Sequence, residues 1–327
     1  MTNPNGVPAG PVAPVRQEPA ARSVTAKGRS HDRDSLIAKD RRFGYLLVLP
    51  AVVVLLAITA YPLIYNVWNS FHNDVINSGL PPTFAGAANY QRIFTDNQFL
   101  PALAHTAGFT VVSVAVETVV GLALALVLNR KFPGRGLVRA AIFIPWAVPT
   151  VVSAQLWKSM FDPQNGWVNY VLTSLHLPLA NTTWLAGTWT SWAAILAADA
   201  WRNTPFMAIV LLAGLQVIPG DIYEAARIDG ANAWRTFVRL TLPLLRPALM
   251  VALIFRTLSS FLIFDVVYAM TGGGPGSSTT VLSYLNWQAF FVLSDYGYGG
   301  AISVALVVIA LVIAAAYVRV FRSEQVL

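Results

Sequence analysis

Six long apolar stretches constrain the fold of this chain more than any other feature of its sequence. Each is long enough to cross the roughly 30 Å of hydrocarbon in a bilayer, which takes about 20 helical residues. The sequence therefore predicts an all-α integral membrane protein with six transmembrane helices. The predicted spans cover residues 44–68, 106–128, 137–156, 193–215, 247–269 and 300–321.

The composition excludes a soluble fold. Hydrophobic residues make up 56% of the chain and charged residues 11%, whereas an average soluble domain is about 45–50% apolar and about 25% charged. The chain has no cysteine, which rules out thiolate catalysis and cysteine-based metal sites. Its four histidines are scattered, and we expect no metal site and no catalytic residue.

Prolines and polar residues mark the boundaries within this plan. Pro145, Pro149 and Pro205 lie inside the third and fourth spans, so we expect those helices to be kinked or broken. Residues 1–42 are rich in Pro, Ala and charge without apolar periodicity, which predicts a flexible N-terminal tail. The transmembrane domain then covers residues 43–322, and residues 323–327 form a C-terminal tail.

Basic residues predict the orientation. Most of the 22 Lys and Arg residues lie in the N-terminal tail, the second and fourth connections and the C-terminus, whereas the opposite side carries only Arg92 and Lys158. Cytoplasmic segments of membrane proteins carry this excess. Both termini should therefore face the cytoplasm, and the net charge of +7 needs no nucleic-acid partner.

The fourth connection, residues 217–246, is more structured than a plain polar linker. Pro219 should end one helix, Asp221 could cap the next, and Gly230 allows a turn. A second amphipathic run, residues 234–240, should end before Pro243. Two short helices with a bend would either present one face to a cytoplasmic partner or lie on lipid headgroups.

This connection contains the motifs Glu224-Ala225-Ala226, Asp229-Gly230-Ala231 and Leu240-Thr241-Leu242-Pro243. They resemble the EAA loop of ABC importer permeases, and we call residues 217–246 the EAA loop. The third, fourth and fifth spans contain Ile144-Pro145-Trp146-Ala147-Val148-Pro149, Trp201-Arg202-Asn203-Thr204-Pro205-Phe206, and Phe264-Asp265 with Tyr268, Thr271 and Gly273-Gly274-Pro275. These stretches resemble carbohydrate permeases of the maltose type, in particular the first permease of the pair, and the similarity covers about residues 43–322.

The resemblance implies a type I ABC importer permease in a bacterial cytoplasmic membrane. Its expected partners are a second related permease, two copies of a cytoplasmic ATPase and an extracytoplasmic sugar-binding protein. The chain lacks the G-x-x-x-x-G-K-[ST] loop, so it should bind no cofactor itself, and ATP and Mg belong to the ATPase. The residues expected to couple the permease to the ATPase are Glu224, Ala225, Ala226, Asp229 and Gly230.

Polar residues inside the spans are the candidates for substrate contact, because such residues are costly in lipid and usually face a cavity or a partner. Asp199, Arg202, Asn203 and Phe206 share one helical face, and Arg256 and Ser260 are one turn apart, as are Trp146 and Thr150. The resemblance implies that equivalents of these stripes hold the sugar midway across the bilayer. The predicted substrate-binding set is Trp146, Thr150, Asp199, Arg202, Asn203, Phe206, Arg256 and Ser260.

This set is more charged than the maltose pattern, since Arg202 and Arg256 replace uncharged residues and Asp199 replaces an amide. The substrate is then a disaccharide such as trehalose or maltose, an oligosaccharide, or a phosphorylated polyol such as glycerol 3-phosphate, because guanidinium groups suit phosphate. Alternatively, Asp199 and Asp265 neutralise the two arginines in an ion-pair network. Glu117 is expected to face a partner helix, and His105 receives no role.

Three other classes of protein remain as alternatives. A membrane enzyme would need paired carboxylates such as Asp199 and Asp265 at about 5–9.5 Å, but no catalytic loop accompanies them. An ion-coupled secondary transporter also has broken helices and midplane charges, yet it would not need an EAA loop. An assembly subunit would explain that loop but not the polar stripes. The aromatic outward connections suit interfacial anchoring, carbohydrate stacking or partner docking.

Overall fold

The computed structural model describes residues 28–323, with side chains for residues 47–320 apart from residue 77. Most of the predicted N-terminal tail and most of the C-terminal tail lie outside the described residues. The chain divides at Tyr61 into two units. Thirteen helices run through the described residues: α1 Gly28–Ser70, α2 Ala88–Thr95, α3 Phe99–Asn129, α4 Arg135–Ala147, α5 Thr150–Met160, α6 Trp167–Ser174, α7 Thr188–Val217, α8 Gly220–Ile228, α9 Ala233–Thr236, α10 Leu242–Phe261, α11 Asp265–Met270, α12 Leu282–Phe291 and α13 Tyr296–Ser323.

Within residues 28–323, five helices are long and apolar enough to cross a membrane, and the bent pair α4–α5 makes a sixth if it is one span. The apolar part of α1 is Leu47–Ser70, and its last two residues, Asn69 and Ser70, are buried. The helix itself begins at Gly28, within the stretch 1–42 that was predicted to be a tail. Residues 28–42 contain no proline and several good helix formers, which favours extension of the span.

The proline predictions have different outcomes in the two spans. Helices α4 and α5 meet at 95°, as expected of a broken span. Pro149 disfavours helical backbone at the residue before it, and Val148 is accordingly extended, with φ −74° and ψ 131°. In contrast, α7 continues through Pro205, so of the two alternatives for the fourth span, kinked or broken, the broken one is wrong. A lone proline removes one helical hydrogen bond, which membrane helices tolerate.

The fifth span differs most from its prediction. It begins before Pro247 and ends at Phe261, and α11 follows after a non-helical turn at residues 262–264. Leu262, Ile263 and Phe264 line a cavity. Irregular backbone is tolerated at membrane depth where it lines a cavity rather than lipid, which explains why the apolar run does not continue as one helix to residue 269.

Close helix contacts hold the bundle together. Helix α7 packs against α3 and α10 through an apolar cluster that includes Leu128, Leu211 and Leu245. A Cβ atom added at Gly121 would lie 2.7 Å from the Cβ atom of Met207, and one added at Gly214 would meet Ala248 and Leu245. Small residues at membrane helix crossings allow such close approach.

A polar cluster fastens the opposite end of the bundle from the EAA loop. Arg92 of α2 pairs with Asp295 at 2.6 Å and lies 4.1 Å from the ring centre of Tyr298, whose hydroxyl donates to Asp96. A short hairpin lies nearby in sequence, with β1 (His72–Asn73) antiparallel to β2 (Thr83–Phe84). These contacts tie the connection between α1 and α3 to the start of α13.

Candidate functional site

A cavity of about 450 Å³ lies where α7 and α10 meet the break between α4 and α5. Seven of the eight predicted substrate-binding residues line it, and the eighth, Ser260, lies behind Arg256. The turn after α10 closes one wall, together with Asp265. Its described lining residues are Trp146, Thr150, Asp199, Arg202, Asn203, Phe206, Phe255, Arg256, Ser259, Leu262, Ile263, Phe264, Asp265 and Val266.

The polar face of α7 forms a hydrogen-bonded chain along this cavity. Asn203 donates from Nδ2 to Asp199 Oδ1 at 2.8 Å and accepts from Arg202 Nη1 at 3.1 Å. Arg202 also donates from Nε to the carbonyl oxygen of Val148 at 3.1 Å. This carbonyl lies at the break after α4, where backbone acceptors lack helical partners, so Arg202 joins α7 to the broken span.

Arg256 is the centre of a buried charge cluster. Its Nε and Nη2 donate to the two carboxyl oxygens of Glu117, with Nη2 to Oε1 at 2.6 Å. The same Nη2 lies 3.1 Å from Asp199 Oδ2 and 2.8 Å from Ser260 Oγ. Ser113 donates to Glu117 Oε1 at 3.0 Å and to Asp199 Oδ2 at 2.8 Å. Helices α3, α7 and α10 thus meet in one ion-pair network.

Two sequence interpretations meet this network. Glu117 was expected to face a partner helix rather than substrate, and it is buried against Arg256 of α10 and is not among the described lining residues of the cavity. In the alternative that paired Asp199 and Asp265 with the two arginines, the pairing of Asp199 with Arg256 is confirmed, whereas among the described ion pairs Asp265 pairs with neither arginine. Asp265 follows the break after α10, which places it on the cavity wall.

A polar stripe on α3 was the signal that sequence analysis missed. Thr106, Thr110, Ser113 and Glu117 recur at helical spacing, and all four are buried. Such a stripe in an apolar helix indicates a face turned toward the protein interior. The partner of Glu117 could not be read from it, because Arg256 is 139 residues away in the chain.

Aromatic rings form the apolar part of the cavity. Trp146 and Phe206 stack with ring centres 6.4 Å apart and an angle of 24° between their planes. Phe255 adjoins Phe206 at 5.9 Å. Trp146 lines the cavity, and half of its surface is exposed in the isolated chain. Ring faces of this kind can contact the apolar face of a ligand while nearby polar groups satisfy its hydroxyls.

Further aromatic residues pack beyond the cavity, in α11 and α12. Phe264 of the cavity wall stacks on Tyr268 at 5.3 Å, and Tyr284 stacks on Trp287 at 5.6 Å. Burial raises the pKa of Tyr284 above its usual range. These rings pack against one another, so mutual packing accounts for some of the aromatic residues in the outward connections. Nearby in the fold, His105 Nδ1 lies 3.0 Å from the Thr280 carbonyl oxygen.

The EAA loop contains the expected bend. Helix α8 ends at Ile228, Gly230 has φ +73°, and Asn232 caps α9 by accepting from the Arg235 N–H at 2.8 Å. Of the five predicted coupling residues, Ala226 is buried and anchors α8. The other four coupling residues are exposed: Glu224, Ala225, Asp229 and Gly230.

Two details of this loop differ from prediction. Asp221 lies in the first turn of α8, and the N-cap residue is Pro219. A negative charge in the first turn stabilises a helix through its dipole. The run over residues 234–240 does not end before Pro243, because a π-helical turn, Phe237–Thr241, leads directly into α10. Pro243 falls in the first turn of α10, where its missing N–H costs little.

Comparisons with known proteins agree on one family. The family described as "Binding-protein-dependent transport system inner membrane component" matches residues 117–323. The chain is 43% identical to the trehalose/maltose transport system permease protein MalF of Thermococcus litoralis, over 88% of this chain and 96% of that protein. It is 39% identical to the trehalose transport system permease protein SugA of Mycobacterium tuberculosis, over 86% and 89%.

Two further similarities are to a relative named for a different substrate and to a solved structure. The chain is 38% identical to the sulfoquinovosyl glycerol transport system permease protein SmoG of Agrobacterium fabrum, over 88% of this chain and 92% of that protein. A chain from the crystal structure of a bacterial ABC transporter that imports the acidic polysaccharide alginate matches with a TM-score of 0.75. It covers 89% of this chain and 99% of that one at 23% identity, so it supports the fold alone.

Proposed function

Because the chain belongs to the family of binding-protein-dependent transport system inner membrane components, we propose that it passes a neutral, hydroxyl-rich sugar through the cavity beside α7 and α10. Members of this family are the non-catalytic membrane subunits of ABC transporters, and ATP is hydrolysed by a separate partner. A disaccharide such as trehalose or maltose fits the proposal, since two relatives carry these sugars in their names.

The cavity is the observation that carries this proposal. Its volume of about 450 Å³ lies within the range of about 300–1,000 Å³ typical of small-ligand sites. It combines exposed ring surface at Trp146 with hydrogen-bonding side chains such as Thr150 and Asn203. A sugar presents both apolar ring faces and hydroxyl groups, so it matches both kinds of wall.

The charges of the cavity favour a neutral ligand. Two carboxyl groups compensate the guanidinium of Arg256, so this residue does not offer a free positive charge to an anion. Arg202 and Asp265, which share the same lining, balance each other in formal charge. A fixed excess of positive charge, which a phosphorylated polyol would need, is missing from the described lining.

A ligand with one anionic group is the second candidate. Arg202 pairs with no carboxylate among the described residues, and its hydrogen bonds go to the neutral acceptors Val148 and Asn203. A guanidinium group in this state can bind a phosphate or sulfonate oxygen. The name of the relative SmoG, which refers to sulfoquinovosyl glycerol, is consistent with such a ligand.

We place the chain beside four partner polypeptides in a bacterial cytoplasmic membrane, with both termini in the cytoplasm. These are a second related permease, two copies of an ATPase, and a binding protein that delivers the sugar from outside. The exposed side chain of Glu224 on α8 would contact the ATPase, and the turn at Gly230 would set the angle of that contact. Closure of the ATPase pair would then rock the helices as rigid bodies.

Uptake into proteoliposomes tests the proposal. The assembled importer, with its binding protein outside and ATP inside, should accumulate labelled trehalose or maltose but not labelled glycerol 3-phosphate. Accumulation of glycerol 3-phosphate alone would favour the second candidate. Uptake driven by a proton or sodium gradient without ATP would contradict an ABC importer and support a secondary transporter.

A further inference from the structure

Helix α3 contributes to the cavity without lining it. None of the described lining residues comes from α3, yet Glu117 of this helix is fully buried and holds the cavity residue Arg256 through two hydrogen bonds. Glu117 also accepts from Ser113. A carboxyl group is costly to bury within a membrane span. The cavity-lining residue that Glu117 contacts is Arg256.

The guanidinium of Arg256 is engaged on one side only. Its Nε and Nη2 donate to Glu117, and Nη2 also reaches Asp199 and Ser260. Its Nη1 has no hydrogen-bond acceptor among the described residues. This nitrogen does not belong to the buried polar atoms that lack a partner, so it keeps some accessible surface. Since Arg256 lines the cavity, Nη1 is the nitrogen that remains for a ligand.

We propose that Glu117 is a positioning residue for the sugar site: it holds Arg256 so that Nη1 donates to a substrate hydroxyl, and it compensates the arginine charge. This inference rests on the proposed function. The two-point contact fixes the plane of a side chain that otherwise has several rotatable bonds. Charge compensation makes Arg256 a donor for neutral hydroxyl oxygens rather than a clamp for anions.

Three variants test the proposal in the assembled importer: Glu117→Gln, Arg256→Gln, and the two combined. Glutamine keeps the size of Glu117 but turns an N–H₂ group toward the guanidinium, so Arg256 loses its fixed orientation. We expect maximal trehalose uptake to fall about tenfold in each single variant, as expected for the loss of one charge-assisted hydrogen bond. The KM should not change, because the binding protein sets the concentration dependence.

The combined variant separates positioning from stabilisation. If Glu117 acts through Arg256, uptake by the combined variant should equal that of Arg256→Gln within about twofold. A purely structural pair predicts recovery instead, because removal of both partners leaves less unpaired buried charge than Arg256→Gln alone. Thermal stability should recover in the combined variant while uptake does not. Recovery of both, or additive losses of uptake, would overturn the proposal.

Controls distinguish this inference from the proposed function. Thr118→Ala is the matched control on α3 and should keep full uptake, because among the described residues the Thr118 hydroxyl donates only to the Val114 carbonyl of its own helix. Each variant is scored only after its partner subunits copurify in normal amounts. Normal uptake by Glu117→Gln, beside an active parent importer, overturns the positioning role alone. A parent importer that transports no sugar overturns the proposed function and this inference with it.

Discussion

Asn203 links the two charged parts of the cavity. Its amide nitrogen donates to Asp199 and its carbonyl oxygen accepts from Arg202, so a single side chain connects the buried cluster to the arginine at the α4–α5 break. The residue is 8% exposed. Loss of its side chain would leave both neighbours without these contacts, and each such loss costs about 1–3 kcal/mol.

We therefore expect Asn203→Ala to lower maximal uptake about tenfold or more while the importer still assembles. The physical reason is that Arg202 and Asp199 lose the bridge that fixes their orientation toward the ligand. Uptake of labelled trehalose by proteoliposomes measures the effect. Gln155→Ala, at an exposed position of α5 outside the cavity, should behave as the parent. Equal uptake by the two variants would contradict the assignment.

The sequence predicted the individual residues that line the cavity better than the ion pairs beside it. The residues on α7 and α10 were found because helical spacing places them on one face, and the family resemblance pointed to the same stripes. The pairing of Glu117 with Arg256 depends on how α3 and α10 cross. Spacing within a helix carries no information about such a crossing, so the ion-pair alternative included Asp199, which does pair with Arg256, but missed Glu117.

Helix crossings depend on a few small residues. A Cβ atom at Gly214 would meet Ala248 and the Leu245 side chain at 2.8 Å, so α7 and α10 can approach closely only with glycine here. We expect Gly214→Val to destabilise the bundle by about 1–3 kcal/mol, the usual cost of overpacking. A lower temperature of unfolding in detergent, with poorer copurification of partner subunits, would be the readout.

The matched control for that variant is Gly136→Ala in α4. Among the described residues no atom lies within 4 Å of a Cβ atom built there, and alanine favours a helix over glycine. Its stability should equal or exceed that of the parent. If Gly214→Val unfolded at the temperature of this control, the close approach of α7 and α10 would not matter for stability.

The bend of the EAA loop provides a second prediction for an element. Gly230 and Gly220 both have open space around an added Cβ atom, but only Gly230 has a positive φ. Gly230→Ala should thus cost about 1–2 kcal/mol from backbone conformation and tilt α8 away from its partner. We expect sugar-stimulated ATP hydrolysis to fall in Gly230→Ala and to stay normal in Gly220→Ala. Identical hydrolysis in both variants would argue against a coupling role for the turn.

Element boundaries were predictable where proline chemistry decides them and not elsewhere. Pro149 lies at the break of the third span, whereas Pro145 and Pro205 lie inside the helices α4 and α7 without ending them. The end of α10 at Phe261 has no marker in the sequence. It follows from the cavity that the next residues line, which is a property of the assembled bundle.

The described residues match the six-span plan when the bent pair α4–α5 is counted as one span. Hydropathy and the distribution of basic residues suffice for this plan, since the bilayer leaves few alternatives to apolar helices. The family and its fold were likewise recognised from the EAA loop. The side of the membrane on which each connection lies remains a prediction from charge.

The absence of native cysteine makes that orientation simple to measure. Asn165→Cys lies at an exposed position between α5 and α6, and Lys131→Cys at an exposed position between α3 and α4. We expect a membrane-impermeant maleimide to label the first variant in intact cells and the second only after the membrane is opened. The reverse pattern would invert the proposed topology and remove the EAA loop from the cytoplasm.

We propose above that a neutral sugar binds in the cavity between the α4–α5 break, α7 and α10. A cryo-electron microscopy structure of the assembled importer with trehalose, held by a hydrolysis-deficient ATPase, would show where the sugar lies. We expect sugar density against the rings of Trp146 and Phe206, with a hydroxyl oxygen within hydrogen-bond distance of Arg256 Nη1. Sugar density elsewhere in the bundle, with this cavity filled by side chains, would contradict the proposal.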